Sequence, residues 1–347
     1  MCLPLSLSGC WNYVETDRLY MVAGFAIDKG TDGKYYMTAE IVDIEIGART
    51  SKFMSRILSA EGDTLFDAVR NIINISGKKL YWSHAKVAIV SQDIAREGII
   101  QILDLIARDP ELRMELRVLV SKEPTANELF SIGSATKIQG FEMDSMLKSQ
   151  NSLSKAPDIK AYQFINSMST DKYSEVLPAI GFVDNDGEKI LALLGSAIFK
   201  KGKLVGFLDE EETKYVLFIR NQIKGGILPE IENGEISRYS ISLEIFNNKT
   251  KMVPMYSNDE ICIDMDIKTT VAVGEHGYTA SYLNPESRGI LRTEAEKSLQ
   301  KNIQNVIAKV QDQYSADIFG CIFRCGGAAV PGSGEPPFRN YRATIPV

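Results

Sequence analysis

The sharpest chemical signal in the chain stands near its start, where Leu7-Ser8-Gly9-Cys10 fit a bacterial lipobox. An aliphatic residue and two small ones let a signal peptidase approach the bond before Cys10. The thiol of that cysteine is the nucleophile that takes up a diacylglyceryl group. Two acyl chains give stable attachment, whereas one holds a protein only reversibly. Residues 1–9 then read as a residual signal peptide. They contain no Lys or Arg and are interrupted by Pro4, whereas a secretory signal has a basic start and a longer apolar core. A start codon assigned too late, or a missing upstream part, is therefore expected. Cys10, as the lipid attachment site, is the single site residue the sequence assigns.

Other chemistry finds little support. The five cysteines (Cys2, Cys10, Cys262, Cys321, Cys325) contain no Cys-x-x-Cys pair, and His84 and His276 are the two histidines. Neither a metal site nor a disulfide framework is expected. His84 reads as a packed or capping residue rather than a base, since no Gly-x-Ser-x-Gly elbow supplies a nucleophile for it. Gly24-Phe25-Ala26 and Gly225-Gly226 lack the spacing of a dinucleotide fingerprint. The acidic run Asp209-Glu210-Glu211-Glu212 reads as a solvated first helical turn rather than a cation site. Tyr35-Tyr36 and Tyr81-Trp82 read as core or edge-strand residues. No catalytic residue and no cofactor is expected. With 45 acidic against 39 basic residues the net charge is -6, which gives no reason to expect nucleic acid as a partner. No apolar run reaches the length of a spanning helix, so membrane attachment has to come from elsewhere.

The periodicities define the elements. Strands are expected over Leu19 to Asp28 and Tyr35 to Ile46, joined as a hairpin by Lys29-Gly30-Thr31-Asp32-Gly33. A helix over Asp63 to Ile75 opens with a pattern like a capping box, Thr64 and Asp67. A strand over His84 to Ser91 runs into one helix from Gln92 to Arg108, and another strand covers Met114 to Ser121. Residues 127–168 read as largely helical, with a loop at 151–157. A hairpin from Ile190 to Leu208 turns at Lys201-Gly202 and precedes a helix over about Asp209 to Gln222. Two strands follow, Tyr239 to Phe246 and Lys251 to Met255, separated by a turn at Asn247-Asn248-Lys249. Strict alternation over Glu260 to Val273 leads into the longest helix, Pro285 to Gln313. Its apolar stripe is Leu291, Ala295, Leu299, Ile303, Val306 and Val310. The class is α+β. Three mixed domains in series are expected at 10–175, 176–257 and 258–347, with the long amphipathic helix in the last.

Ordered strings along the chain carry a resemblance. They run from Gly9-Cys10-Trp11 and Gly24-Phe25-Ala26-Ile27-Asp28 through Glu61-Gly62-Asp63-Thr64-Leu65-Phe66-Asp67-Ala68 and Lys79-Leu80-Tyr81-Trp82-Ser83-His84. Ile94-Ala95-Arg96-Glu97-Gly98-Ile99 and Arg108-Asp109-Pro110-Glu111-Leu112-Arg113 follow. The second half has Gly195-Ser196-Ala197-Ile198-Phe199-Lys200, Leu204-Val205-Gly206-Phe207-Leu208 and Gln313-Tyr314-Ser315-Ala316-Asp317-Ile318-Phe319-Gly320. In this order and spacing over about 310 residues, the chain resembles the Ger(x)C family, the lipoprotein C subunit of spore germinant receptors.

The resemblance implies a non-enzymatic lipoprotein of three α+β domains, held in the bilayer by diacylglyceryl on Cys10. It implies two membrane-embedded partners, the A and B subunits, and a place on the outer face of the spore inner membrane. The other matching residues, mostly Gly, aromatic and aliphatic, read as fold determinants. Two departures stand out: the short leader, and the stretch after Gly320, where Gly332, Gly334, Pro336 and Pro337 replace the family's closing helix and strand. A truncated or frameshifted end, leaving the third domain without an edge strand, is the expectation there. The alternative reading is a solute-binding lipoprotein of a transport system, which two long parallel-sheet lobes and a saturable pocket would favour. An exported lipid-anchored hydrolase would need a carboxylate pair in a cleft.

Overall fold

Alternating apolar residues make β1 (Leu19–Lys29) and β2 (Tyr35–Ile46) a hairpin, paired antiparallel from Met21↔Val42 to Lys29↔Tyr35. The computed structural model of the chain describes residues 18–46, 51–133, 136–168, 174–230, 241–257, 260–275, 285–318 and 340–344. Sequence reading passed over the next strand, β3 (Ser51–Gly62), which pairs with the whole of β2 and forms one edge of the sheet. α1 (Leu65–Ser76) has Thr64 as its N-cap, whose Oγ1 accepts the Asp67 N–H, while Asp67 Oδ2 reaches back to the Asp63 N–H rather than to that of Thr64, both at 3.1 Å, so the expected box is only half formed. β4 (Lys79–Tyr81) and β5 (Val87–Val90) then run parallel to β1.

The helix expected over Gln92 to Arg108 is two helices, α2 (Gln92–Glu97) and α3 (Ile100–Arg108). Gly98 separates them with φ +145, a backbone conformation that L side chains rarely adopt. The next strand, β6 (Arg117–Ser121), lies parallel to β5. A 3₁₀ turn (Asn127–Phe130), α4 (Gln139–Leu153) and α5 (Ala161–Met168) account for the helical stretch that follows. β7 (Glu175–Asn185), β8 (Glu188–Lys200) and β9 (Lys203–Leu208) complete a nine-stranded sheet of order β3-β2-β1-β5-β6-β7-β8-β9, with β4 beside β1. Its centre is buried on both faces, as parallel strands require. α1, α2, α3 and α5 cover one face, with Ile72, Ile94, Ile102 and Phe164 in the core. α4 covers the other through Met143 and Leu147.

Asp209 caps α6 (Glu210–Ile219). β10 (Ile227–Glu230), β11 (Ile241–Ser257), β12 (Glu260–Glu275) and β13 (Asn340–Thr344) form a second sheet in that order. Two expectations are corrected here, the turn at residues 247–249 and the bare edge after Gly320. Strand pairing also crosses the expected domain limits. Val120↔Ala179 pairing carries the first sheet across residue 175, and β11 and β12 form one hairpin across residue 257. Asn247-Asn248-Lys249 is no turn but regular strand, paired with Thr270, Thr269 and Lys268 just past a bulge at Phe246, and Asn248 Oδ1 accepts the Thr269 hydroxyl at 2.9 Å. The tail after Gly320 contributes β13, paired parallel with β12 from Asp264↔Asn340 to Lys268↔Thr344, so that stretch of β12 is covered.

α7 (Pro285–Tyr314) buries the whole stripe expected of it, Leu291 through Val310, in the same core as Leu243, Met265 and Ile267 of the second sheet. Its last turn docks on β9: Tyr314 Oη donates to the Phe207 carbonyl at 3.1 Å, and the ring lies over Gly206. A Cβ on Gly206 would stand 2.1 Å from Tyr314 Cε1. Gly206→Ala is therefore expected to lower stability by about 1–3 kcal/mol. Part of that loss should return when Tyr314→Leu removes the ring. Denaturant midpoints of the single and double variants check this, and an unchanged midpoint for Gly206→Ala would contradict it.

Candidate functional site

Two carboxylates of the β1–β2 hairpin are buried and hold a segment about a hundred residues later. Asp28 is 3% exposed and accepts the backbone N–H groups of Ala126 at 2.6 Å and Asn127 at 3.0 Å. It therefore closes the start of the 3₁₀ turn, whose own N-cap, Ala126, has no side-chain acceptor. Glu40, fully buried, does the same for α4. It accepts Gln139 N–H, Gly140 N–H and the Ser55 hydroxyl, each at 2.7 Å, where the N-cap residue is Ile138. An anion at a helix N-terminus satisfies orphan donors and meets the positive end of the dipole. Burial nevertheless raises both pKa values above their ordinary range, outweighing the backbone donors.

A carboxyl whose folded pKa is raised contributes most below its unfolded value and loses that contribution as pH rises through the folded value. The stability of the wild type relative to Asp28→Asn is thus expected to grow as pH falls from neutral toward the ordinary Asp value of 3.8. Urea unfolding of both proteins over that range checks it, and a difference that stays flat or shrinks would contradict it.

Two more ion clusters are buried. Arg117, 7% exposed, meets Asp158 through Nε at 2.6 Å and Nη2 at 3.3 Å, and meets Asp144 through Nη1. Arg220 donates from Nη1 to Glu175 at 2.7 Å, from Nε to the Ile318 carbonyl at 2.8 Å and from Nη2 to the Ser174 carbonyl at 2.8 Å. Each cation has its carboxylate and each carboxylate its donors, so these clusters fasten segments rather than activate a substrate.

The sequence-assigned residues fare differently. Cys10 lies outside the described residues, as do His276, Cys321 and Cys325. His84 does not start a buried strand: it is exposed at the end of a 3₁₀ turn, with its ring 5.7 Å from that of Tyr81. The acidic run forms a complete capping box. Asp209 Oδ1 accepts the Glu212 N–H at 2.8 Å, and Glu212 Oε2 accepts the Asp209 N–H at 3.0 Å. Lys155, Lys214 and Lys309 pair with Glu210, Glu211 and Glu212. Trp82 is buried edge-on against Phe25 at 5.3 Å, as a core residue.

Tyr35, packed against the core at the start of β2 as expected, also borders a concave surface. It lines, together with Ile100 and Gln101, both a cavity of about 770 Å³ beside Asp63, Thr64, Phe66 and Asp104 and one of about 290 Å³ beside Glu97, Lys201 and Lys203. Tyr35 Oη donates to Gln101 Oε1 across it. This mixture of carboxylates, amide and apolar rims suits reversible contact with a polar molecule or segment. No nucleophile and base are paired there, and no group of metal-ligating side chains occurs among the described residues. Among the described residues, no helix is long and apolar enough to cross a membrane.

Two sheets, internal ion clusters and a shallow polar groove describe an α+β protein. Comparison with known proteins gives the class a family. Residues 12–182 match the spore germination protein N-terminal domain, and residues 194–322 match the spore germination B3/GerAC-like C-terminal domain. The chain belongs to the Ger(x)C family of spore germination proteins. It is 26% identical to spore germination protein B3 of Bacillus subtilis, over 90% of this chain and 83% of that one. It is 20% identical to spore germination protein KC of the same organism, over 88% and 80%. The crystal structure of the GerBC protein superposes with a TM-score of 0.52 at 22% identity, over 93% of this chain and 96% of that one, and so shares the fold.

Proposed function

We propose that the chain is the non-catalytic, lipid-anchored C subunit of a spore germinant receptor. In this reading it stands on the outer face of the spore inner membrane, tethered by diacylglyceryl on Cys10, and works with membrane-embedded A and B subunits when a small nutrient triggers germination. The observation that carries the reading is the occurrence of both halves of one germination family, in order, across residues 12–182 and 194–322. The chemistry agrees with it: the buried carboxylates and arginines are consumed by internal partners, which leaves surface and anchor as the means of action. Detergent extraction of spore membranes followed by affinity capture of this chain tests it. Co-recovery of two germinant-receptor membrane proteins is expected. Recovery with the permease of a transporter instead would move the solute-binding lipoprotein to the front and overturn the receptor assignment.

A further inference from the structure

The first sheet has two ends, and the described chain enters at only one of them. At one end β1 begins, β2 finishes, β3 begins and α1 finishes, because β1 and β3 both run antiparallel to β2 and α1 returns along β3. The register makes this explicit. Two residues beyond the Met21↔Val42 pair, Leu19 stands level with Ile44; Ile44 faces Phe53, and Leu19 faces Lys79 across β4. Three large apolar side chains lie bare here: Ile44 is 51% exposed, Phe53 59% and Ile75, near the end of α1, 66%. Cations lie at the same end, Lys52 and Arg56 on the pleat face opposite to Ile44 and Phe53. Lys52 and Arg56 are exposed on β3, and the Arg56 guanidinium and the Lys78 ammonium lie 5.5 and 4.8 Å from the Tyr20 ring. Lys79 pairs with Glu111, and Asp43 and Glu45 are the acidic residues of β2 at this end. The opposite end, around the groove, carries Asp63, Glu97 and Asp104 paired with Lys34, Lys29 and Arg108, together with Lys201 and Lys203.

The chain arrives at the apolar and cationic end. From Cys10 to Arg18 there are eight residue steps, which span at most about 28 Å when fully extended. A diacylglyceryl group on Cys10 therefore holds this end, rather than the groove end, nearer the bilayer. We propose that the β2–β3 end of the sheet is a second membrane contact, in which Ile44, Phe53 and Ile75 enter the headgroup region and Lys52, Arg56 and Lys78 meet anionic lipid phosphates. The proposal rests on the lipid-anchored reading given above. The net charge of -6 makes charge alone a poor attractant, so the apolar tips supply the contact and the cations orient it.

The test separates this contact from the anchor. The full chain with Cys10→Ala and an N-terminal histidine tag is tethered to phosphatidylglycerol–phosphatidylcholine vesicles through a nickel-chelating lipid, so attachment does not depend on acylation. Phe53→Trp and, at the groove end, Phe66→Trp are each compared with the parent, with bromine on the phosphatidylcholine chains as quencher. Phe66 is 47% exposed and so is an even control. The emission added by Phe53→Trp should fall about twofold or more, while that added by Phe66→Trp stays unquenched. Equal quenching at the two positions, or none at position 53, overturns the proposal. Failure of the anchor would appear separately, in the distribution of the Cys10 variant in spores.

Discussion

Arg220→Met is expected to destabilise the protein by about 3–5 kcal/mol, because it leaves a buried carboxylate without its cation. Glu175 is 8% exposed, and the guanidinium also closes the Ser174 and Ile318 carbonyls. That geometry joins three distant parts: the end of α6, the start of β7 and the chain leaving α7. The Ser174 N–H donates to the Asp317 carbonyl at 2.8 Å in the same place. The substitution should therefore loosen α7 from the first sheet as well as lower the unfolding midpoint. Adding Glu175→Leu removes the orphaned charge, so the double variant should recover part of the loss. Denaturant titrations of both variants, with proteolysis reporting on α7, decide the point. A single-variant loss under about 1 kcal/mol would mean that water replaces the guanidinium at little cost.

Glu40→Ala should cost about 3 kcal/mol or more. Two N–H groups in the first turn of α4 and the Ser55 hydroxyl lose their acceptor, and each buried unsatisfied group costs about 1–3 kcal/mol. The damage should be local to α4. Hydrogen exchange at Gln139 and Gly140 should accelerate sharply, while the amides of β5 and β6 follow the global loss alone. Uniform acceleration would show that Glu40 does not act through the helix start. Glu40→Gln should lie between the wild type and Ala, since one acceptor oxygen remains.

Local pattern carried much of this fold. The alternation of Tyr35 to Ile46 gives β2 with its observed ends, and the stripe from Leu291 to Val310 is the buried face of α7. Thr64 and Asp209 mark two helix starts by side-chain chemistry confined to three residues. What stayed hidden depends on partners far along the chain. β3 has adjacent apolar residues at Phe53-Met54 and Ile57-Leu58, which break the alternation; its register comes from β2. Asn247-Asn248-Lys249 has turn composition, yet Thr269 across the ladder gives Asn248 a buried partner. The carboxylates of Asp28 and Glu40 meet amides 98 to 100 residues away, a relation no spacing rule reaches. Tyr35 packs against the core as its pattern implies, but its second place on the groove rim depends on α3 beside it. Among the residues of the family strings, Gly206 has a packing reason, since the Tyr314 ring lies over it.

Receptor membership by way of a lipid anchor is the central claim, and membrane fractionation of spores meets it most directly. The chain is expressed behind a complete signal peptide, as the native sequence and as Cys10→Ala. The account predicts the native protein in the inner-membrane fraction and the variant lost from it. Equal distribution of the two would contradict the anchor and leave attachment to partner subunits alone.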